Sequence, residues 1–155
     1  MKVRDLMIKE VLTLSPEITY ASAVFFLREN KISGAPVVDS SGELIGFVSE
    51  KDLFRAIFPT TAGYHRHPEI YSDLESREEK VNELKGNAVS HYMIKNVTAV
   101  SPDTPILKAG AIMLANGFHR LPVIENNLIV GMIEREHIYR AILGRIVKPD
   151  EPNSV

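Results

Sequence analysis

The chain has 155 residues, 45% of them hydrophobic and 25% charged, which is the balance of an ordinary globular protein and not of a disordered or fibrous one. Eighteen Lys and Arg against 20 Asp and Glu leave a net charge of −2, so no overall field holds nucleic acid or an acidic membrane. Cysteine is absent, which removes disulfides, thiolate nucleophiles and sulfur-ligated zinc and fits a reducing compartment.

The first residues, with Arg4, Asp5, Lys9 and Glu10, do not form the apolar core of a signal peptide. The longest apolar stretches, such as Ala109 to Ala115, fall short of the ~20 residues needed to span a bilayer. The expectation is a cytoplasmic protein with no membrane partner.

Self-similarity dominates the chain. Met7-Ile8-Lys9 with Ser15-Pro16 returns 86 residues later as Met93-Ile94-Lys95 with Ser101-Pro102. The same offset relates Val11 to Val97, Ala23 to Ala109, Asn30 to Asn116 and Pro36-Val37 to Pro122-Val123. One residue is then lost where "DSSGE" shortens to "ENN", a place where a hairpin turn tolerates it. The repeats cover roughly 3 to 58 and 89 to 143. This divides the chain into a first repeat (1–58), a spacer (59–88), a second repeat (89–145) and a tail (146–155). Two copies are too few for a solenoid, so an intramolecular pair sharing a buried face is expected.

Each copy reads alike in chain order. A short β-rich run (Val11 to Leu14; Val97 to Val100) ends at Ser-Pro, with Thr19 and Thr104 as possible caps of the helix that follows. That helix runs from about Tyr20 to Asn30 and from Pro105 to Asn116, Pro105 being acceptable in a first turn. Two apolar strands with a tight turn come next, then a second helix, about Glu50 to Phe58 and Arg135 to Leu143. Val24-Phe25-Phe26-Leu27 and Ala111-Ile112-Met113-Leu114 carry apolar side chains most of the way round their helices. Either these runs are simply core, or one side of each helix meets the other copy or another chain. Between the copies, Pro59, Gly63 and Pro68 break structure, and Glu and Lys at helical spacing after Ser72 predict an exposed helix. It reads as solvated spacer or as a contact surface.

Enzyme signatures are missing: there is no G-K-[ST] phosphate loop, G-x-G-x-x-G, H-E-x-x-H or G-x-S-x-G. His65-Arg66-His67 has no third ligand at metal spacing. Neither a catalytic residue nor a metal site is expected. What remains is Gly46-Phe47-Val48-Ser49-Glu50-Lys51-Asp52 at the strand-to-helix junction. Ser49 and Asp52 there read either as a helix cap or as a hydroxyl and carboxylate turned to a ligand. The second copy has Glu134 and His137 at these positions.

With "SGAPVVDSSGELIGFVSEKDL" in one copy and "HRLPVIENNLIVGMIEREHI" in the other, the chain resembles a tandem pair of cystathionine-β-synthase (CBS) domains, a Bateman module. The resemblance rests on Met-x-x-x-Val before Ser-Pro, the Pro-Val strand, the Gly turn and G-x-x-[ST]-x-x-D in that order, and covers all but the spacer and tail. It implies an α/β (α+β) fold of two β-α-β-β-α repeats about a pseudo-twofold axis, with clefts for adenine nucleotides or related adenosyl compounds. In that resemblance Ser49 serves the phosphate and Asp52 the ribose hydroxyls, as the acidic residue of dinucleotide folds does. Ile32, Ser33, Gly34, Ala35 and Pro36 would line the base pocket, with Val97 and Thr98 completing it. His119 and Arg120 match the pair that points at phosphates, a task for which a guanidinium suits. Glu134 and His137 depart from the pattern.

The implied function is regulatory and not enzymatic: sensing AMP, ADP or ATP, with no obligatory cofactor, as a homodimer read by an unknown effector protein. The alternatives are a structural protein–protein interaction module without a physiological nucleotide, or a nucleic-acid- or metal-binding protein on the same fold.

Overall fold

The computed structural model describes residues 1–58 and 75–146. Its helices are α1 (Tyr20–Glu29), α2 (Glu50–Arg55), α3 (Glu75–Leu84), α4 (Ile106–Asn116) and α5 (Arg135–Ile146). Its strands are β1 (Gly34–Val38), β2 (Leu44–Ser49), β3 (Arg120–Glu125) and β4 (Leu128–Glu134), and short 3-10 turns occupy Val3–Asp5 and Val89–His91. Among the described residues no helix is long and apolar enough to cross a membrane. His65-Arg66-His67, Pro59, Gly63 and Pro68 lie outside the described residues.

Two compact bodies result, and they are cut differently from the sequence repeats. The first body is Leu12–Val97; the second joins Met1–Val11 to the chain from Thr98 onward. Each body therefore takes its leading Met-Ile segment from the other repeat, and the two crossing points, after Val11 and after Val97, are themselves repeat-equivalent.

In the first body β1 and β2 form an antiparallel pair with Gly34 opposite Ser49 and a bulge between Val37 and Val38. Ala35, Val37 and Val48 point inward to meet Leu14, Tyr20, Ala23, Leu27, Leu53, Leu84 and Val89. Thr19 caps α1 as expected, its side chain accepting from the Ser22 N–H at 3.2 Å. The Tyr20 hydroxyl donates to the Leu53 carbonyl at 2.8 Å and ties α1 to α2; burial, with Tyr92 beside it, pushes the phenol above its ordinary value. The expected exposed helix is α3. Glu78, Glu79 and Glu83 are exposed on it, but Leu84 enters the first body's core, so the helix is docked.

The second body repeats this plan. Antiparallel β3 and β4 place Arg120 opposite Glu134, and Val3, Val100, Ala109, Met113, Leu121, Val123, Ile133 and Ile138 make its core. Asn126 and Asn127 take φ of 52° and 65°, the left-handed pair that a two-residue hairpin turn requires, which is how "ENN" does the work of the longer "DSSGE". Asp103 holds the leading segment, bonding Lys2 at 2.6 Å and Arg4 at 2.5 Å; the Lys2 hydrogen bond, then Arg4, keeps its carboxyl below the usual range.

Two expectations need correction. The runs Val11–Leu14 and Val97–Val100 are not strands: each supplies one parallel bridge, Leu14 to Val37 and Val100 to Val123. Ser-Pro follows at once, and a proline without an N–H cannot extend the ladder. Thr104 does not cap α4. The repeat register puts Pro105 at the cap position with no side-chain cap bond, while Thr104 Oγ1 accepts from the Ser101 N–H at 3.1 Å.

The leading segments lie directly on the second strand of each hairpin. Phe47 and Ile94 exchange backbone hydrogen bonds of 2.9 and 2.8 Å, and Ile8 and Met132 bonds of 2.8 and 2.9 Å. Close approach needs a residue without a side chain beside the crossing. A Cβ on Gly131 would stand 2.8 Å from Met7 Sδ and 3.0 Å from the Ile8 carbonyl, and one on Gly46 would overlap Met93 Sδ and lie 3.2 Å from the Ile94 carbonyl. Both substitutions set a methyl against a thioether and a backbone carbonyl, so both should be destabilising. We expect a loss of about 1–3 kcal/mol for Gly131→Ala in urea unfolding. A loss no larger than a few tenths would mean that the segment is not seated there.

Candidate functional site

The β2–α2 junction brings several of the sequence-selected residues together in the first body. The register sets Gly34 against Ser49, and the Glu50 N–H donates to the Ser33 carbonyl at 2.9 Å. Gly34 is buried tightly: a Cβ there would lie 2.8 Å from the Phe47 ring and 2.9 Å from the Val48 carbonyl. Ala35 and Pro36 are buried too, and the Pro36 carbonyl accepts from the Leu14 N–H. That leaves half-buried Ile32 and exposed Ser33 as the reachable side chains of this segment.

Ser49 and Asp52 form a reciprocal capping box. The Asp52 N–H donates to Ser49 Oγ at 3.2 Å, and Asp52 Oδ2 accepts from the Ser49 N–H at 3.0 Å and from Ser49 Oγ at 2.6 Å. The local cap reading of these two residues is thus realised. It uses one carboxylate oxygen only; Asp52 Oδ1 takes no hydrogen bond from the described residues. A half-buried carboxylate held by its own cap, with one oxygen to spare, is pre-set to accept from a ligand hydroxyl.

Val97 is half-buried at the end of the first body and Thr98, exposed, begins the second. Sequence reasoning missed Ile94, half exposed at 50%, whose backbone pairs with Phe47, two residues from Ser49. Its signal was the repeated Met-Ile-Lys, an apolar residue kept beside a charge.

His119 and Arg120 belong to the second body, and each has a partner within it. His119 Nδ1 lies 3.0 Å from Arg135 Nη2, and Arg120 Nη2 3.9 Å from Glu134 Oε1. The Arg135 N–H donates to the His119 carbonyl at 2.9 Å, matching the Glu50–Ser33 bond of the other body. Glu134 therefore turns toward Arg120, and no capping box of the Ser49–Asp52 kind forms at α5. His137 Nδ1 is buried with no hydrogen-bond partner. Among the described residues no group of three or more side chains is placed to hold a metal ion.

Two hairpin–helix bodies that trade leading segments, with a polar strand-to-helix junction in each, define a paired-repeat module. The family model for the CBS domain matches residues 3–59 and 89–144, and the chain belongs to that family. An uncharacterised protein of Methanocaldococcus jannaschii is 30% identical over 157 residues, covering 92% of each chain. The chloroplastic CBS domain-containing protein CBSX2 of Arabidopsis thaliana is 28% identical over 149 residues, 91% of this chain and 61% of that one.

Among solved structures, CBSX2 in complex with AMP matches with a TM-score of 0.71 at 24% identity over 94% of this chain and 98% of that one. The CBS domain pair of protein MJ0100, in complex with 5-methylthioadenosine and S-adenosyl-L-methionine, matches at 0.67 and 20% identity, covering 94% and 98%. At those identities the likeness is one of fold.

Proposed function

We propose that this chain is a regulatory module and not a catalyst, holding an adenine nucleotide or adenosyl compound at the Ser49–Asp52 junction and passing its occupancy to a partner protein. The observation that carries this reading is the spare Oδ1 of Asp52, fixed by the capping box at a half-buried junction. A carboxylate so held accepts from both hydroxyls of a ribose, and Ser49 stands beside it for the next group along the ligand. Ile32, Ser33, Gly34, Ala35, Pro36, Ile94 and Val97, all of the same body, complete the base pocket in this reading. The AMP and S-adenosylmethionine bound by CBSX2 and MJ0100 support the ligand class.

Thermal shift of the full chain against AMP, ADP, ATP and S-adenosylmethionine tests it. A ligand at 100 times its dissociation constant adds about 2.7 kcal/mol, a shift of several degrees for a chain of this size. No shift with any of the four would defeat the reading and favour a pure interaction module.

Assembly is the second part of the proposal. Phe25 on α1, Phe54 on α2, and Leu107 and Leu114 on α4 are 67%, 62%, 66% and 64% exposed, large apolar side chains that these helices leave uncovered. We place a homodimer contact on these helices. Sedimentation at micromolar concentration should give twice the chain mass, and Phe25→Glu with Leu114→Glu should give a folded monomer. A wild-type monomer contradicts the assignment.

A further inference from the structure

The second body has a cleft that the adenosyl reading does not use. It has a volume of about 520 Å³ and is lined by Asp5, Leu6, Met7, His137, Arg140 and Ala141, all from that body. This size suits a small molecule. The cleft is wide open to solvent, and its lining carries a carboxylate, an imidazole and a guanidinium beside apolar side chains.

The repeat comparison says why the cleft exists here. Leu6 stands where the first body has Tyr92, whose wide ring packs edge-on against Tyr20 at 5.3 Å and whose hydroxyl accepts from Asn87 at 2.8 Å. Ile106 likewise replaces Tyr20. The smaller Leu6, which lines the cleft, leaves room that Tyr92 takes up in the first body. At the same corner His137 replaces the capped Asp52, and with Glu134 turned to Arg120 its buried Nδ1 has no hydrogen-bond partner.

Its two nitrogens differ. Nδ1 is buried without a partner, and a buried N–H without an acceptor is costly, which favours the tautomer with its proton on Nε2. His137 then presents a donor, as Arg140 does. The Arg140 guanidinium now bonds Glu136 at 2.5 Å, but both side chains are largely exposed, and the pair is weak enough for a ligand carboxylate to displace it. Asp5 Oδ2 accepts from the Lys2 N–H at 2.8 Å and its other oxygen remains for a cation.

From this we infer that the cleft is a second ligand site, chemically distinct from the first, for a small zwitterion with an aliphatic part, of the α-amino-acid class. Its carboxylate meets His137 Nε2 and Arg140, its ammonium meets Asp5, and its hydrocarbon covers Leu6, Met7 and Ala141. The site shares no residue with the Ser49–Asp52 junction, so either assignment stands or falls without the other.

Calorimetry and thermal shift of the full chain with L-leucine test the site, with 4-methylpentanoate and isopentylamine as probes lacking one charge each. Leucine should bind, and each analogue should bind at least roughly tenfold more weakly. Arg140→Gln, a surface change, should weaken leucine by a similar factor. Leu6→Tyr, which introduces the side chain that Tyr92 supplies in the first body, should abolish it, while the thermal response to AMP stays as in the wild type. Absence of leucine binding at millimolar concentration overturns the proposal. Equal binding of either analogue, or leucine binding unchanged in both variants, overturns it as well.

Discussion

Asp52→Ala should weaken adenosyl-ligand binding by roughly tenfold to 150-fold, the loss of a hydrogen bond to a charged group of about 1.5–3 kcal/mol. It should also lower the melting temperature, because Asp52 Oδ2 accepts both from the Ser49 N–H and from Ser49 Oγ, and losing a cap costs about 1 kcal/mol. The two effects are separable. Asp52→Asn keeps an oxygen that can close the capping box but removes the charge that a ribose hydroxyl meets. If the carboxylate reads the ribose, Asn should hold most of the stability and still lose most of the affinity. Calorimetry and melting curves of the two variants decide this. Unchanged affinity in both, with a lowered melting temperature in the alanine variant, would leave Asp52 as a helix cap and nothing more.

The second large expectation is an asymmetry between the copies: one strong adenosyl site per chain, keyed by the first repeat. At the equivalent junction Glu134 stands for Ser49 and His137 for Asp52, and Ser33-Gly34 stands where the other copy has His119-Arg120. A carboxylate near the phosphate position repels it, and an imidazole lacks the carboxylate oxygens that accept from two ribose hydroxyls. At roughly 1 kcal/mol or more for each lost polar contact, three such changes amount to at least two orders of magnitude in affinity. The double variant Glu134→Ser, His137→Asp rebuilds the capping pair of the first repeat. We expect it to show a second binding event by calorimetry; a wild-type chain that already shows two equivalent events would contradict the asymmetry.

Much of this architecture was legible in the sequence because repetition multiplies weak signals. Pro36-Val37 or Gly46 alone says little; their return at a fixed offset located both hairpins, all four repeat helices and the polar junction at Ser49–Asp52. The exchange of leading segments was not legible. It is held by isolated antiparallel bridges, Phe47 to Ile94 and Thr19 to Ala88 in one body and Ile8 to Met132 and Lys2 to Pro105 in the other, and isolated bridges leave no periodic pattern to read. A trace was nonetheless present in the paired Gly46 and Gly131, whose lack of a side chain lets Met93 and Met7 approach.

The first strand of each copy was over-read for a related reason: an apolar run ahead of Ser-Pro looks the same whether it makes a ladder or one bridge. Thr104 misled because a threonine before a helix suggests a cap, while the repeat register hands that position to Pro105. At the site, side-chain partners were beyond the reach of spacing. The turn of Glu134 toward Arg120 and the orphaned Nδ1 of His137 follow from packing around one helix terminus.

Calorimetric titration of the wild-type chain with AMP, and with S-adenosylmethionine if AMP is silent, tests the central claim most directly. The account predicts one saturable event per chain with at least one of the two, abolished or strongly weakened in Asp52→Asn. No heat and no stabilisation with either, or a tight event that Asp52→Asn leaves untouched, would contradict it.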